Sequence, residues 1–354
     1  MSSATSSAMS PDATPPAYTP PPPRIRAGLD DAAGRLSGVD ALLAELPKTP
    51  PRAPDADGDE EKLGAVTVTH RFADAPGDGD TVRWHYVECG PADAPVVVFL
   101  HGVPDSWWQW HYALEALGTE HRCLAVDLKG YGQSEKGTGD FRQEGVAIQL
   151  EALLDRLRIE RFSLVTHDRG TPVGDHLVAR MGHRVVRYGR GQQHLWHLHP
   201  DLHPQEALFT SPDAPGTLAD ARRFVALAYT LLTERPVRSP DLVRTVQEFG
   251  YQGISTAVPR YFHSSSFRQE WIERRTRLIP RWTCPVLLLQ GADDPVQPRE
   301  FYTDPQVLAR LPRGSAVHLF DSGHFWPFEA PEEMTTVLRE FLGQDPAGIG
   351  PAAG

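Results

Sequence analysis

Cysteine is scarce in this chain: Cys89, Cys123 and Cys284 are the only three in 354 residues. None has the C-x-x-C spacing of a zinc site or redox pair, so buried free thiols in a reducing compartment are expected. Long apolar runs are missing too, and nothing approaches the roughly 20 residues that cross a bilayer. The opening stretch MSSATSSAMSPDATPPAYTPPPP has neither the basic start nor the apolar middle of a secretory signal. Cytoplasmic location, without a membrane partner, follows as the expectation. Positive charge is in deficit, with 35 Lys and Arg against 46 Asp and Glu for a net charge of -11. Such a surface repels phosphate backbones and argues against a nucleic-acid partner.

What the chain does have is proline at its start, with eleven of its 33 prolines before residue 55. Residues 1–62 therefore read as a Pro-rich, disordered extension. Within it, Leu29, Leu36, Val39, Leu43 and Leu46 lie at roughly helical spacing and predict a short amphipathic helix laid on the body of the protein. From residue 63 short apolar runs alternate with helical stretches, the pattern of a mostly parallel, doubly wound sheet. The runs are LGAVTVTHRF, TVRWHYVEC, APVVVFL, HRCLAVD, RFSLVT, HRVVRYG, CPVLLLQG and SAVHLFDSG. Helices are expected near 106–118, 143–158, 171–182, 298–311 and 331–343. Between about 191 and 276 the alternation stops, and a helical cap rich in aromatics and histidine is expected. The division is thus a first core segment 63–190, a cap 191–276, a second core segment 277–343 and a flexible tail 344–354.

Parallel sheets deliver chemistry at the C-terminal ends of their strands. After VVVFL comes HGVPDSWWQW, after LAVD comes LKGYGQSEK, after SLVT comes HDRG, after LLLQG comes ADDPVQP, and after HLFD comes SGHFWPFEAPEE. In HDRG the strand turns at once into a helix, as in the G-x-S-x-G elbow that raises a nucleophile. The raised residue here is Asp168, and Asp294 and His324 follow it in chain order. Aspartate is also a good helix N-cap, the plainer reading of such a junction.

These segments together resemble the α/β-hydrolase superfamily and, within it, the epoxide hydrolases, over roughly residues 63–343. HGVPDSWWQW resembles the family's HG-x-P segment, DLKGYGQSEK its D-x-x-G-x-G-x-S segment, GADDPVQP its acid loop and GHFWPFEAPEE its histidine loop. The resemblance implies an α/β-hydrolase fold with an inserted helical cap. It also implies Asp168 as nucleophile, His324 as base and Asp294, not Asp293, as the acid behind it. Val103 and Arg169 backbone N–H groups would form the oxyanion hole, and Asp127 would be structural. A carboxylate can open a strained or activated carbon and leave an alkyl ester, which water activated by the histidine then hydrolyses. No cofactor is called for.

The resemblance also implies Tyr261, in STAVPRYFHSSSF, as the cap tyrosine that assists ring opening; the family's other cap tyrosine has no clear counterpart. His101, Trp107, Trp196, Tyr229 and Tyr251 are the remaining candidates for the pocket, and the aromatic content suggests a small apolar or aromatic substrate. A homodimer is compatible with the chain. Haloalkane dehalogenases resemble it less, since they hold halide with a Trp after the nucleophile and an Asn in HG-x-P, where this chain has Arg169 and Val103. Haloacetate dehalogenases share HDRG, but their second arginine is replaced by Pro172. A non-hydrolytic cyclase, isomerase or binding protein on the same scaffold is the third alternative. The histidines of HLWHLHPDLH lack partners for a metal site, and none is expected.

Overall fold

The computed structural model describes residues 32–77, 81–137, 139–198 and 203–343. The segments expected to be disordered, 1–23 and 344–354, lie outside the described residues, as do Leu29 and His199. No described helix is long and apolar enough to cross a membrane.

Nine strands form one sheet, β1 (Glu60–Leu63), β2 (Val66–Pro76), β3 (Thr81–Cys89), β4 (Val96–Leu100), β5 (Arg122–Val126), β6 (Phe162–Thr166), β7 (Val185–Gly191), β8 (Val286–Gly291) and β9 (Ala316–Phe320). Their order is β1-β2-β3-β5-β4-β6-β7-β8-β9. The first three are antiparallel to their neighbours, and from β5 onward the pairs are parallel. β4 and β6 read as continuous apolar runs because both faces are covered. Alternation still sorts them: Val98, Leu100 and Leu164 point into one hydrophobic cluster, and Val97, Phe99 and Val165 into the other. The chain leaves β4 for β5 on one side and returns to β6 on the other. The loops after β4 and β6 therefore diverge and leave a crevice between them, the usual place for a site in an open sheet.

Among the described residues, six α-helices lie between β7 and β8, from His203–Thr210 to Phe267–Glu273. The expected helix over 298–311 is instead two single turns, Glu300–Thr303 and Pro305–Leu308. Pro305 forces Asp304 into an extended ψ of 118°, and the chain breaks there.

The short helix expected in the N-terminal extension is present, whereas the chain from Leu46 to Lys62, expected to be disordered, is folded against the body. The helix Ala32–Glu45 lies on the inserted helix Ala221–Leu232, burying Val39 and Leu46, while Leu36 stays half exposed. Each helix lends the other an arginine: Arg222 donates to the carbonyls of Leu43 and Leu46, and Arg35 to those of Leu231 and Thr233. These carbonyls lie at helix C-termini, where no intrahelical partner exists. β1 then adds an edge strand to the sheet. The acidic run DADGDEE is structured because its carboxylates are engaged: Asp57 accepts from the Phe72 amide, Asp59 from the Ala56 amide, and Glu61 pairs with Arg52 and Arg244.

Candidate active site

β6 ends at Thr166, and Asp168 follows with φ of 43°, a left-handed conformation rare outside glycine. Strain of this kind, about 1–3 kcal/mol, persists where the surroundings over-determine it, typically at functional sites. The surroundings here are tight. A Cβ on Gly170 would sit 2.6 Å from the carbonyl oxygens of His101 and Leu100, and one on Gly102 would sit 2.4 Å from the Asp168 Cβ. Only glycine lets the two loops close on one another, and the helix Gly170–Met181 begins directly behind the carboxylate. Its positive end favours the ionised form.

The Asp168 side chain is held at both oxygens. The Val103 N–H donates to Oδ1 at 3.0 Å, and the Gln193 Nε2 donates to Oδ2 at 3.1 Å. His324 Nε2 lies 3.6 Å from the same Oδ2, and its Nδ1 lies 2.9 Å from Asp294 Oδ2. Asp294 is fixed in turn by the Val296 amide on Oδ1 and by Gln192 Nε2 on Oδ2. Asp293 instead faces Arg299 at the surface. The histidine loop is pinned by Glu329, which accepts from the amides of Gly323 and Phe325 and also from those of Glu234 and Arg235. The His324 N–H reaches the Leu232 carbonyl at 2.7 Å, so the helix Ala221–Leu232 and the histidine share a bond.

Burial disfavours the charged form of His324, but Asp294 and Asp168 outweigh it and raise the imidazole to about 10. Burial acting alone would raise the Asp168 carboxyl; His324 above all, together with the Val103 N–H, holds it below the usual carboxylate range. At neutral pH the resting site is thus an ion pair of carboxylate and imidazolium. His167 beside them is pushed down to about 4 by burial and by His324, so it stays neutral.

These groups open into a cavity of about 140 Å³. Its floor carries Asp168, Arg169, Gln193, His194, Gln297 and His324, and Val103 borders it. Its wall is apolar, with Leu208, Phe209, Phe224, Leu227, Phe262 and Phe267 from the inserted helices. The Arg169 guanidinium is not free: it is bonded through both terminal nitrogens to Glu270, at 2.8 and 3.2 Å, and lies over the Phe262 ring.

Several residues expected at the pocket are elsewhere. Tyr261 donates its hydroxyl to the Lys129 carbonyl at 2.7 Å and packs against Tyr131 and Phe141, away from the cavity. A buried phenol must place its O–H, and this one is fully used. His101 ties two loops together, accepting from the Leu128 amide at Nε2 and donating from Nδ1 to the Gly102 carbonyl. Trp107 stacks edge-on with His70 and Trp108, and its amide donates to Asp127, which is structural as expected. Trp196 is clamped between the guanidinium groups of Arg275 and Arg310, each at 3.8 Å. Tyr229 stands behind the wall, stacked on Phe325 and bonded to Asp105, while Tyr251 is buried outside the cavity. Aromatic rings here serve packing, and the lining aromatics are phenylalanines.

Among the described residues, no group of three or more His, Cys, Asp or Glu converges to hold a metal ion. His194 contacts Gln297, and His197 pairs with Asp304. All three cysteines are buried and free.

Reading from sequence missed Gln192, Gln193, Glu270 and Asp105. The two glutamines follow β7, the one parallel strand whose C-terminal end was not read for chemistry, and that position was the available signal. Asp105 accepts from Tyr229 and Thr245 of the cap and from Gln109 of the core. Burial lifts its carboxyl to about 7, despite those bonds.

The strand order, the elbow and the Asp–His–Asp set at the ends of β6, β8 and β9 define the α/β-hydrolase class of enzymes. The chain belongs to the Alpha/beta hydrolase family, which matches residues 97–337. It is 31% identical over 280 residues to Epoxide hydrolase 1 of Caenorhabditis elegans, covering 74% of this chain and 68% of that one. To a haloalkane dehalogenase of Mesorhizobium japonicum it is 44% identical, but only over 101 residues, 28% of this chain and 32% of the other. The solved epoxide hydrolase of Vigna radiata superposes with a TM-score of 0.65 at 21% identity, over 78% of this chain and 98% of its own. Coverage of the matched epoxide hydrolases varies widely, from 26% of one from C. elegans to 76% of one from Xenopus tropicalis.

Proposed function

We propose that the enzyme hydrolyses an epoxide in two steps through an alkyl ester on Asp168. The observation that carries this reading is the placement of Asp168: a carboxylate lining the cavity, with Oδ1 held by the Val103 N–H and His324 Nε2 3.6 Å from Oδ2, where a serine hydrolase keeps a hydroxyl. In the first step Oδ2 attacks the ring carbon, the ring C–O bond breaks with its electron pair passing to oxygen, and that oxygen takes the His324 proton. The carboxylate becomes a neutral ester, and the charge that held His324 protonated disappears. Its pKa falls, and the ring, still oriented by Asp294, becomes the base for a water that attacks the Asp168 carbonyl carbon. Charge developing on Oδ1 stays on the Val103 N–H, with the Arg169 N–H as the second expected donor.

The pocket favours a neutral substrate. Glu270 already fills the guanidinium fork of Arg169, so a haloacetate carboxylate would have to displace a buried, bidentate partner. The apolar wall suits a hydrophobic substituent on the epoxide. The likeness to both epoxide hydrolases and a haloalkane dehalogenase supports displacement at carbon as the shared first step.

The test is the intact mass of a His324→Gln variant incubated with panels of epoxides and haloacetates, with Asp168→Asn as control. A gain equal to the whole epoxide, absent in the control, is the expected result. A gain equal to a haloacetate less hydrogen halide would assign the enzyme to dehalogenation, and no gain with any compound would overturn the ester mechanism.

A further inference from the structure

With Tyr261 committed to Lys129 and no tyrosine among the residues lining the cavity, the oxygen released from the ring needs another hydrogen-bond donor. Two adjacent glutamines follow β7. Gly191 brings the strand end close against the nucleophile strand, for a Cβ there would lie 2.4 Å from the Thr166 carbonyl. From this point the two amides diverge: Gln192 turns to Asp294 and His167, and Gln193 turns to Asp168 and the cavity. The backbone of Gln193 is anchored, its carbonyl accepting from the Tyr302 hydroxyl at 2.7 Å and from Arg190 Nη1 at 2.9 Å. The residue is 5% exposed, with one side-chain N–H on Asp168 Oδ2 and an Oε1 that has no partner among the described residues. Leaving a buried amide oxygen unmatched costs about 1–3 kcal/mol, a cost that makes sense where a ligand supplies the match.

We infer that the Gln193 carboxamide is the group that receives the substrate's departing oxygen, an assignment that rests on the ester mechanism above. The lone pair of Oδ2 forms the new bond to carbon, and the ring C–O bond breaks with its electron pair passing to oxygen. An amide has two N–H groups, and a donor beside the line of attack serves both oxygens. As Oδ2 surrenders its charge the existing bond weakens, while the bond to the nascent alkoxide strengthens, so the interaction favours the transition state over the ground state. The alkoxide then takes a proton, in the wild type that of the His324 imidazolium, which leaves that ring neutral for the second step, and in the His324→Gln variant one from water. Oε1 accepts from the new hydroxyl.

The experiment measures the rate of ester formation in the His324→Gln background, by quenched intact mass, with and without Gln193→Met. Methionine keeps the length and removes the donor; Gln193→Ala is the second variant, and either serves if its melting temperature matches the parent. Two epoxides are compared, one that releases a strongly basic alkoxide and one whose electron-withdrawing substituent makes the alkoxide weakly basic. Loss of the donor is expected to slow the first by about 10²-fold, as for other preorganised oxyanion donors, and the second by less than tenfold. Equal slowing of both would make Gln193 merely a positioning residue for Asp168 and overturn the inference, as would undiminished rates. Ester in the single variant with an unslowed double variant overturns this assignment alone. No ester in the single variant overturns the mechanism beneath it and this assignment together.

Discussion

On the floor of the cavity Asp168 and His324, and behind them Asp294, are each tied by at least two polar contacts, and Gln192, Glu329 and Val103 lock the groups that hold them. The wall opposite is Leu208, Phe209, Phe224, Leu227, Phe262 and Phe267, side chains that make no hydrogen bond. Geometry on the floor is over-determined, because hydrogen bonds are directional and a misplacement of about 1 Å can cost 10²-fold in rate. The wall is determined only by volume, and hydrophobic swaps of similar size are cheap. One region can therefore stay constant while the other changes, so substitutions on the floor should affect all substrates and substitutions in the wall should reorder them.

The largest expected effect comes from the floor: Asp168→Asn lowers kcat by about 10⁴-fold or more for every substrate, measured by product formation. Gln192→Leu, which touches no substrate, lowers kcat by about 10²-fold with KM nearly unchanged, because Asp294 loses the amide that aims it. In the wall, Leu227→Trp lowers kcat/KM for bulky epoxides by about 10-fold relative to small ones and leaves the hydrolysis rate of a preformed ester unchanged. Glu270→Gln removes the internal carboxylate from Arg169 and is expected to lower the KM or inhibition constant of a small carboxylate by about 10-fold, with a melting curve as control because the pair is buried.

The smallest effect tests the join between the two regions. Asp105 has its carboxyl raised to about 7, so the folded state binds its proton more tightly than the unfolded chain does. Its contribution to stability is complete below the unfolded value near 4 and is lost as pH rises through about 7. Melting temperatures of the wild type should therefore decline between pH 5 and 8, and those of Asp105→Asn should decline less, by a few degrees.

The same contrast explains what could be read from sequence. Asp168, Asp294 and His324 were legible because each follows a short apolar strand and sits beside glycines that only a tight turn requires. Tyr261 was not, since its spacing from Asp168 says nothing about where a phenol finds an acceptor, and Lys129 offers one 2.7 Å away. Trp107 read as a pocket residue, yet it packs against His70 and Trp108, because aromatic content marks burial as readily as binding. β1 was hidden in an acidic run whose Glu61 answers to Arg244, 183 residues away. Glu270, about a hundred residues from Arg169, was invisible for the same reason.

The paired arginines that fasten the helix Ala32–Glu45 to Ala221–Leu232 have a consequence for timing. That second helix carries Leu227, Ala228, Leu231 and Leu232 into the cavity wall, and its last carbonyl holds the His324 amide. An element remote in sequence from every reacting group thus splints one wall of the cavity. Slackening that splint, with Arg222→Ala, is expected to change the rate of product release in a pre-steady-state measurement, so the first described helix would act on a reaction it never touches.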